Sequence, residues 1–427
     1  MKIRRMSGIN MRKNIGSRTV VRWVVGIAVC ALIVGFAGTV ARAGIFASSS
    51  KMLSFVRATT TMATRSPAKP AVTHKETPDT VRAVYMTQCA VGTPSFRKDL
   101  VGLIDTTELN AVVIDIKDYT GKISFTPGDT ALKDSVSDAC GARDMKEFIR
   151  ELHEKNIYVI GRITTFQDPY YTALHPELAV KKLSSKETNW KDGKGLSFID
   201  VSAKPFWEYI VKIAKASYEI GFDELNFDYI RFPSDGNMKD TFYTWNPGME
   251  KSEALERFYI YLHDQLKPTG VVMSVDLFGM VTTNYDDLNI GQVLERAMPY
   301  FDFIDPMVYP SHYPTGFNGY KNVNEHSYDI VHFSLAHAVE RTIATSTSIS
   351  ALAFARIGTS TPAIYAKPAY PASKIRPWLQ SFDYPVTYTP EMVSAQIKAN
   401  TDAGLNSYLF WDPANKYRSL RAVLKPE

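Results

Sequence analysis

Eight short, β-rich apolar runs follow one another along this chain with a helical stretch after each, and that alternation constrains the fold more than any other feature. The runs are Arg82 to Thr87, Asn110 to Ile116, Ile157 to Ile163, Phe222 to Asp228, Val271 to Phe278, Phe303 to Tyr309, Lys374 to Phe382 and Ser407 to Trp411. Helical periodicity fills Phe96 to Leu109, Ala142 to Asn156, Lys204 to Gly221, Glu250 to Lys267, Ile290 to Tyr300, Val323 to Arg341 and Pro390 to Gly404, with Tyr417 to Leu424 as the last. Strand-helix units joined by right-handed crossovers close into a (β/α)8 TIM barrel of the α/β class once there are eight of them. An open doubly wound sheet usually stops at five or six strands and carries a Gly-rich phosphate loop, and no such loop stands in this chain. The connections leaving strands are long, about 40 residues after the third, while those entering strands are short. Loops leaving the strands build the reactive face of a barrel, so the elaborated surface falls where chemistry is expected.

Only residues 81–427 carry this pattern. Before it, Trp23 to Val40 reads WVVGIAVCALIVGFAGTV, 18 residues without a charge behind seven cations. Such a segment enters a membrane, as an uncleaved anchor or as a signal peptide cut after Ala41 and Ala43, and the basic flank stays in the cytoplasm. Residues 1–43 are therefore expected to be a basic flank with a transmembrane anchor or signal peptide, and residues 44–80, rich in Ser, Thr, Ala and Pro, a flexible linker. The barrel is expected outside the cytoplasm, anchored or secreted. Export makes a Cys89–Cys140 bridge and two separate thiols equally open readings, Cys30 lying in the membrane segment. The formal charge of +5 is uneven: the first 43 residues hold eight cations and no acid, which leaves −3 for the rest. That remainder lacks the basic field a nucleic acid needs, so no nucleic-acid partner is expected.

Side chains alternate along a strand, so polar residues in the runs can be assigned to a face. In the fourth, Glu224, Asn226 and Asp228 share the interior face, with Asp228 nearest the open end. The second ends in Asp115 and Lys117, the fifth in Ser274 and Asp276, and the sixth in Asp305 and Tyr309. Arg376, Trp378 and Gln380 come from the seventh, and Trp411 with Asp412 from the eighth. A ring of carboxylates and aromatic faces suits a sugar polymer, whose hydroxyls pair with carboxylates and whose C–H faces stack on rings. Cleaving it takes two carboxyl groups, one to protonate the leaving oxygen and one to attack or to activate water. Asp228 and Asp276, on adjacent strands, are the candidate pair. Arg231, three residues past Asp228, either anchors a loop or holds Asp228 ionised, and Asp115 with Lys117 either binds sugar or ties strand ends together. No HxH or HExxH spacing points to zinc, and Ser234 and Ser311 lack a nucleophile elbow. No cofactor or metal is expected.

At these residues the chain resembles a bacterial family of exported (β/α)8 domains described as glycoside hydrolases. The phrases that carry the resemblance are RAVYMT, LIDTTELNAVVIDIKD, ELNFDYIRFPSDG, SVDLFG, DPMVYPSHY, KIRPWLQSF and LFWDPANKY, which run from Arg82 to Tyr417. The resemblance implies a glycosidase-like barrel in which Asp228 is the catalytic acid or nucleophile. Broader sugar-cleaving barrels to which the chain is similar carry Glu on the fifth strand, where this chain has Asp276. The expected function is hydrolysis of a cell-envelope or extracellular polysaccharide, with Asp115, Lys117, Arg231, Tyr309, Trp378, Trp411 and Asp412 shaping the sugar sites. The rival readings are a non-catalytic glycan-binding or scaffold barrel and, third, a metal-dependent hydrolase. The stretch Thr342 to Pro362 reads as a mobile insertion before the seventh strand.

Overall fold

The structure, a computed structural model, describes residues 72–426. The segment expected to enter a membrane and most of the expected linker lie outside the described residues. Eight parallel strands form one closed barrel. They are β1 (Arg82–Met86), β2 (Ala111–Lys117), β3 (Tyr158–Thr164), β4 (Glu224–Asp228), β5 (Val272–Phe278), β6 (Phe303–Met307), β7 (Trp378–Gln380) and β8 (Tyr408–Trp411). Each strand neighbours the next in sequence, and β1 pairs with β8 through Arg82↔Tyr408, Ala83↔Leu409 and Val84↔Phe410 to close the circle.

Around it run α1 (Pro94–Asp105), α2 (Met145–Glu154), α3 (Lys204–Ile220), α4 (Lys251–Leu266), α5 (Leu294–Ala297), α6 (Ser327–Ile343), α7 (Pro390–Asp402) and α8 (Arg418–Arg421). In α2, Met145, Phe148, Ile149 and Leu152 are buried, the spacing of one helical face turned to the strands. Thr389 caps α7 by accepting the Met392 N–H, with Pro390 opening the helix. Gly161 in β3 has no room for a side chain: a Cβ there would lie 2.2 Å from Ile116 and 2.8 Å from Phe222. The fifth helix keeps only four residues of the expected Ile290 to Tyr300.

The interior of the barrel is divided. Ala83, Tyr85, Ala111, Val113, Tyr158, Ile160, Trp378 and Leu409 form an apolar cluster, mainly from β1, β2 and β3. The other side carries Arg162, Glu224, Asn226, Asp228, Ser274, Asp276, Asp305 and Arg376, all buried. Residues after β3 and β4 fold over one side of the mouth, where Lys181–Lys182 pairs antiparallel with Thr241–Phe242 above a cluster of Val180, Trp190 and Phe198. The stretch expected to be a mobile insertion instead supplies strands Ser346–Thr347 and Ala355–Ile357 of a three-stranded antiparallel sheet completed by Ile364–Ala366. Cys89 and Cys140 are bridged, their Cα atoms 4.6 Å apart.

Candidate active site

The site is built in layers up the barrel. At the floor, Arg376 donates to both carboxylates beside it, Glu224 and Asp305, while Ser274 Oγ and Tyr158 OH also donate to Glu224. Burial holds the Asp305 carboxyl up at about 6, against the pull of Arg376. One layer higher, Asn226 Nδ2 donates to Asp276 Oδ1 at 2.8 Å and to Asp305 Oδ2 at 3.1 Å. Trp378 Nε1 donates to the same Asp276 oxygen at 2.7 Å. These bonds satisfy buried groups that would otherwise each cost kilocalories, so the floor is structural.

At the mouth the organising group is Arg162 of β3. Its Nη1 donates to Asp115 Oδ1 at 2.6 Å and its Nε to Asp228 Oδ2 at 3.1 Å, with Asp276 Oδ2 4.0 Å from that Nε. Two carboxyl oxygens placed around one nitrogen at 3.1 and 4.0 Å are at most about 7 Å apart, a bound compatible with two-carboxyl glycoside chemistry. Asp228 accepts from Arg162 and from the Tyr229 N–H, an acceptor-only pattern. Burial, reinforced by Asp228 and Asp305, pushes the Asp276 carboxyl well above the usual range. Both donors reach its Oδ1, and no described residue donates a hydrogen bond to its Oδ2. The pair thus combines an acceptor with an acid, the division of labour glycoside cleavage requires.

The aromatic wall stands opposite. Tyr85 stacks on Trp411 with ring centres 3.9 Å apart and donates from its hydroxyl to Asp115, while the Arg162 guanidinium lies 4.9 Å from the Trp411 ring. Tyr309 is buried near both Asp276 and Asp228, and the three together push its hydroxyl pKa far up, burial first. Backbone strain marks the spot. Tyr229, next after Asp228, has φ of 47°, a left-handed conformation that bulky residues adopt only where surroundings impose it. Tyr119, Trp245, Tyr285 and Tyr384 are exposed on loops that leave strands β2, β4, β5 and β7. Among the described residues no group of three or more His, Cys, Asp or Glu is arranged to hold a metal ion.

Asp115, Asp228, Asp276, Tyr309, Trp378 and Trp411 are therefore brought together, and three predicted residues stay outside that group. A register shift in β2 between Asp115 and Lys117 turns Lys117 out of the interior, where it pairs with Asp168 at 2.9 Å and carries no exposure. Asp412 spends its carboxylate on the backbone N–H groups of Ala414, Lys416 and Tyr417, capping the turn after β8. Arg231 reaches neither Asp228 nor any other carboxylate of the described residues within 4 Å; its Nη1 donates to Phe232 O and Ser234 Oγ. Arg162 was absent from the sequence-derived set although its signal was present: a lone Arg in YVIGRIT, in phase with Tyr158 and Ile160 on the interior face. Two open grooves of about 520 and 550 Å³ flank α1 on the outside of the barrel. Their charges pair locally, Arg421 with Asp99 and Arg97 with Asp144, and neither groove is lined by a mouth residue.

A family model described as "Putative glycosyl hydrolase domain" matches residues 83–417. Among solved structures, a hypothetical protein from Ruminiclostridium thermocellum is 33% identical, over 48% of this chain and 98% of that one, with a TM-score of 0.41. The glycoside hydrolase domain of PgaB (BpsB) from Bordetella bronchiseptica is 13% identical over 81% of this chain and 99% of its own, with a TM-score of 0.54, a likeness of fold. No curated protein matches the chain.

Proposed function

The chain belongs to the family described as "Putative glycosyl hydrolase domain", and from that premise we propose that it hydrolyses a glycosidic bond of a cell-envelope or extracellular polysaccharide between Asp228 and Asp276. The observation that carries the reading is the placement of both carboxyls around Arg162, at most about 7 Å apart and oppositely provided for. That bound admits the shorter spacing, about 5 Å, at which the second carboxylate attacks directly, and direct attack is the course proposed. Asp276 Oδ2 gives its proton to the glycosidic oxygen as the C1–O bond breaks, and Asp228 forms a bond to C1. Water then attacks C1, its proton returns to Asp276, and the C1–Asp228 bond breaks. Arg162 orients Asp228 and balances its charge. Trp411 offers a ring face to the sugar, backed by the stacked Tyr85, with Trp378, Tyr309 and Asp115 holding the geometry.

Export belongs to the same proposal and rests on the apolar segment behind its basic flank, residues 1–43. Among the described residues no helix is long and apolar enough to cross a membrane. The experiment is a panel of envelope and extracellular glycans incubated with the protein and with Asp228→Asn, folding checked by circular dichroism. The wild type releases reducing ends, and the variant loses roughly three orders of magnitude or more. Cleavage by Asp228→Asn at the wild-type rate removes Asp228 from the mechanism. Glycan binding without any cleavage by the wild type returns the barrel to the rival, non-catalytic reading.

A further inference from the structure

Four arginines are buried among the described residues: Arg162, Arg231, Arg341 and Arg376. Three of them are neutralised by carboxylates, Arg162 by Asp115 and Asp228, Arg341 by Glu295, and Arg376 by Glu224 and Asp305. Arg231 is the exception. It is 6% exposed, yet among the described residues no carboxylate lies within ion-pair distance. Its Nη1 donates to Phe232 O at 3.0 Å and to Ser234 Oγ at 3.1 Å, and its Nε and Nη2 find no acceptor among the described residues. The guanidinium is held between rings, 4.9 Å from the centre of Tyr229 and 4.8 Å from that of Phe278. Those rings attenuate the cost of an unpaired buried cation without cancelling it. Burial accordingly lowers the pKa of this guanidinium.

The location ties this cation to the chemistry. Tyr229 follows Asp228 directly, and Phe278 comes two residues after Asp276, so the guanidinium sits over the ends of the two strands that supply the acid pair. Its open Nε–Nη2 edge is the part of an arginine that grips a planar or tetrahedral oxyanion with two parallel hydrogen bonds. The folded part of the chain is mildly acidic, so any preference for an anion has to come from such a local group and not from a diffuse field. Arg162 offers no competing site, being already shared between two carboxylates.

We propose that Arg231 is an anion-binding subsite at the barrel mouth, which takes an acidic group carried by the sugar beside the scissile bond, and that the substrate is therefore an acidic polysaccharide. The group is a ring carboxylate or a phosphate or sulfate ester. The inference rests on the glycan-cleaving reading given above and narrows its substrate class.

The test uses the full chain carrying Asp228→Asn, which binds without turnover, on arrayed envelope glycans printed in matched pairs: each carboxylated glycan beside its carboxyl-reduced form, and each phosphorylated or sulfated glycan beside its stripped form. The acidic member is held about tenfold more tightly or better, the worth of a charge-assisted bidentate contact. Arg231→Gln in the same background erases the difference, and Arg231→Lys keeps part of it. The pair contrast is read with Arg231 intact, so it stands even if Arg231→Gln fails to fold. A contrast confined to carboxylated pairs identifies a ring carboxylate, and one confined to the others identifies an ester. Equal binding within pairs, binding of neutral members alone, no binding of any acidic glycan, or a preference that survives Arg231→Gln in folded protein overturns the subsite. Cleavage of the retained glycans by the unsubstituted chain is scored separately. Acidic glycans held but not cut sink the hydrolase reading and leave the subsite standing.

Discussion

Asp276 and Arg162 show how burial sets chemistry at the scale of single residues. Asp276 is an acid whose folded pKa lies above its unfolded value, so the stability it contributes is present below pH about 4 and is lost as pH rises through the folded value. Asp115, lifted by burial to about 6, acts in the same sense between about pH 4 and 6. Thermal melts are expected to show midpoints falling over that window, with Asp115→Asn giving a shallower decline; a decline of unchanged slope assigns it to other groups. Asp276→Asn keeps an oxygen for Asn226 and Trp378 but cannot donate a proton to a departing sugar. Its kcat on polysaccharide is expected to fall about 10²- to 10⁴-fold, and far less on an aryl glycoside whose leaving group needs no proton. Arg162→Met leaves two buried carboxylates without their cation, and urea titration is expected to show a loss of about 3–5 kcal/mol. Most of the acid pair's surroundings were legible in the sequence because strand alternation alone put Asn226, Asp228, Ser274 and Asp276 on one face. The role of Asp412 was not, since the turn that consumes its carboxylate depends on backbone N–H groups that residue type does not reveal.

At the scale of elements, all eight strands and the order of the helices follow from hydrophobic period, and the departures have local causes. In β2 a single irregularity between Asp115 and Lys117 reverses the face on which Lys117 emerges, and a bulge of that kind leaves no trace in a pattern of alternating residues. The lysine then completes a buried pair with Asp168, which itself caps the short helix Pro169–Leu174 and so anchors the long connection after β3. The segment before β7 looked unstructured because its Ser and Thr residues have no apolar period, yet short antiparallel pairing needs none. The disulfide links the short helix Gln88–Val91 after β1 to the segment before α2 and closes a loop spanning 51 positions. Closing a loop of that length restrains the unfolded chain by up to roughly 4 kcal/mol. Replacing both Cys89 and Cys140 with Ala is expected to lower the urea midpoint by a corresponding amount while leaving glycan cleavage at 25 °C unchanged, because neither residue bonds to Arg162 or the acid pair. An unshifted midpoint shows that the bridge adds nothing to stability.

For the whole molecule, the polarity of the barrel separates what holds it together from what it does. Acid pair, strained Tyr229 and aromatic wall stand where the strands end, whereas residues 72–80 pass beneath the other end, where the strands begin. Composition assigned those residues to the tether, and nothing in their sequence pattern shows how closely they pack. His74 stacks on Tyr218 at 3.8 Å, the Lys75 N–H donates to Asp223 Oδ1 at 2.7 Å, and Thr77 Oγ1 meets Tyr158 OH at 3.0 Å. Tyr158 in turn donates to Glu224, so the strap joins the buried network on which Arg376 sits. Removing it strips a charged hydrogen bond from Asp223 and a stacked ring from Tyr218, on the order of 2–4 kcal/mol in all. A chain beginning at Val81 is therefore expected to unfold at lower urea than one beginning at Val72. Cleavage per folded molecule should be the same in both, since no strap residue contacts the mouth. Equal urea midpoints would show that the strap is a bystander. A loss of cleavage in folded, truncated protein would show instead that the floor network transmits its register upward to Asp276 through Asn226, the residue that bonds both layers.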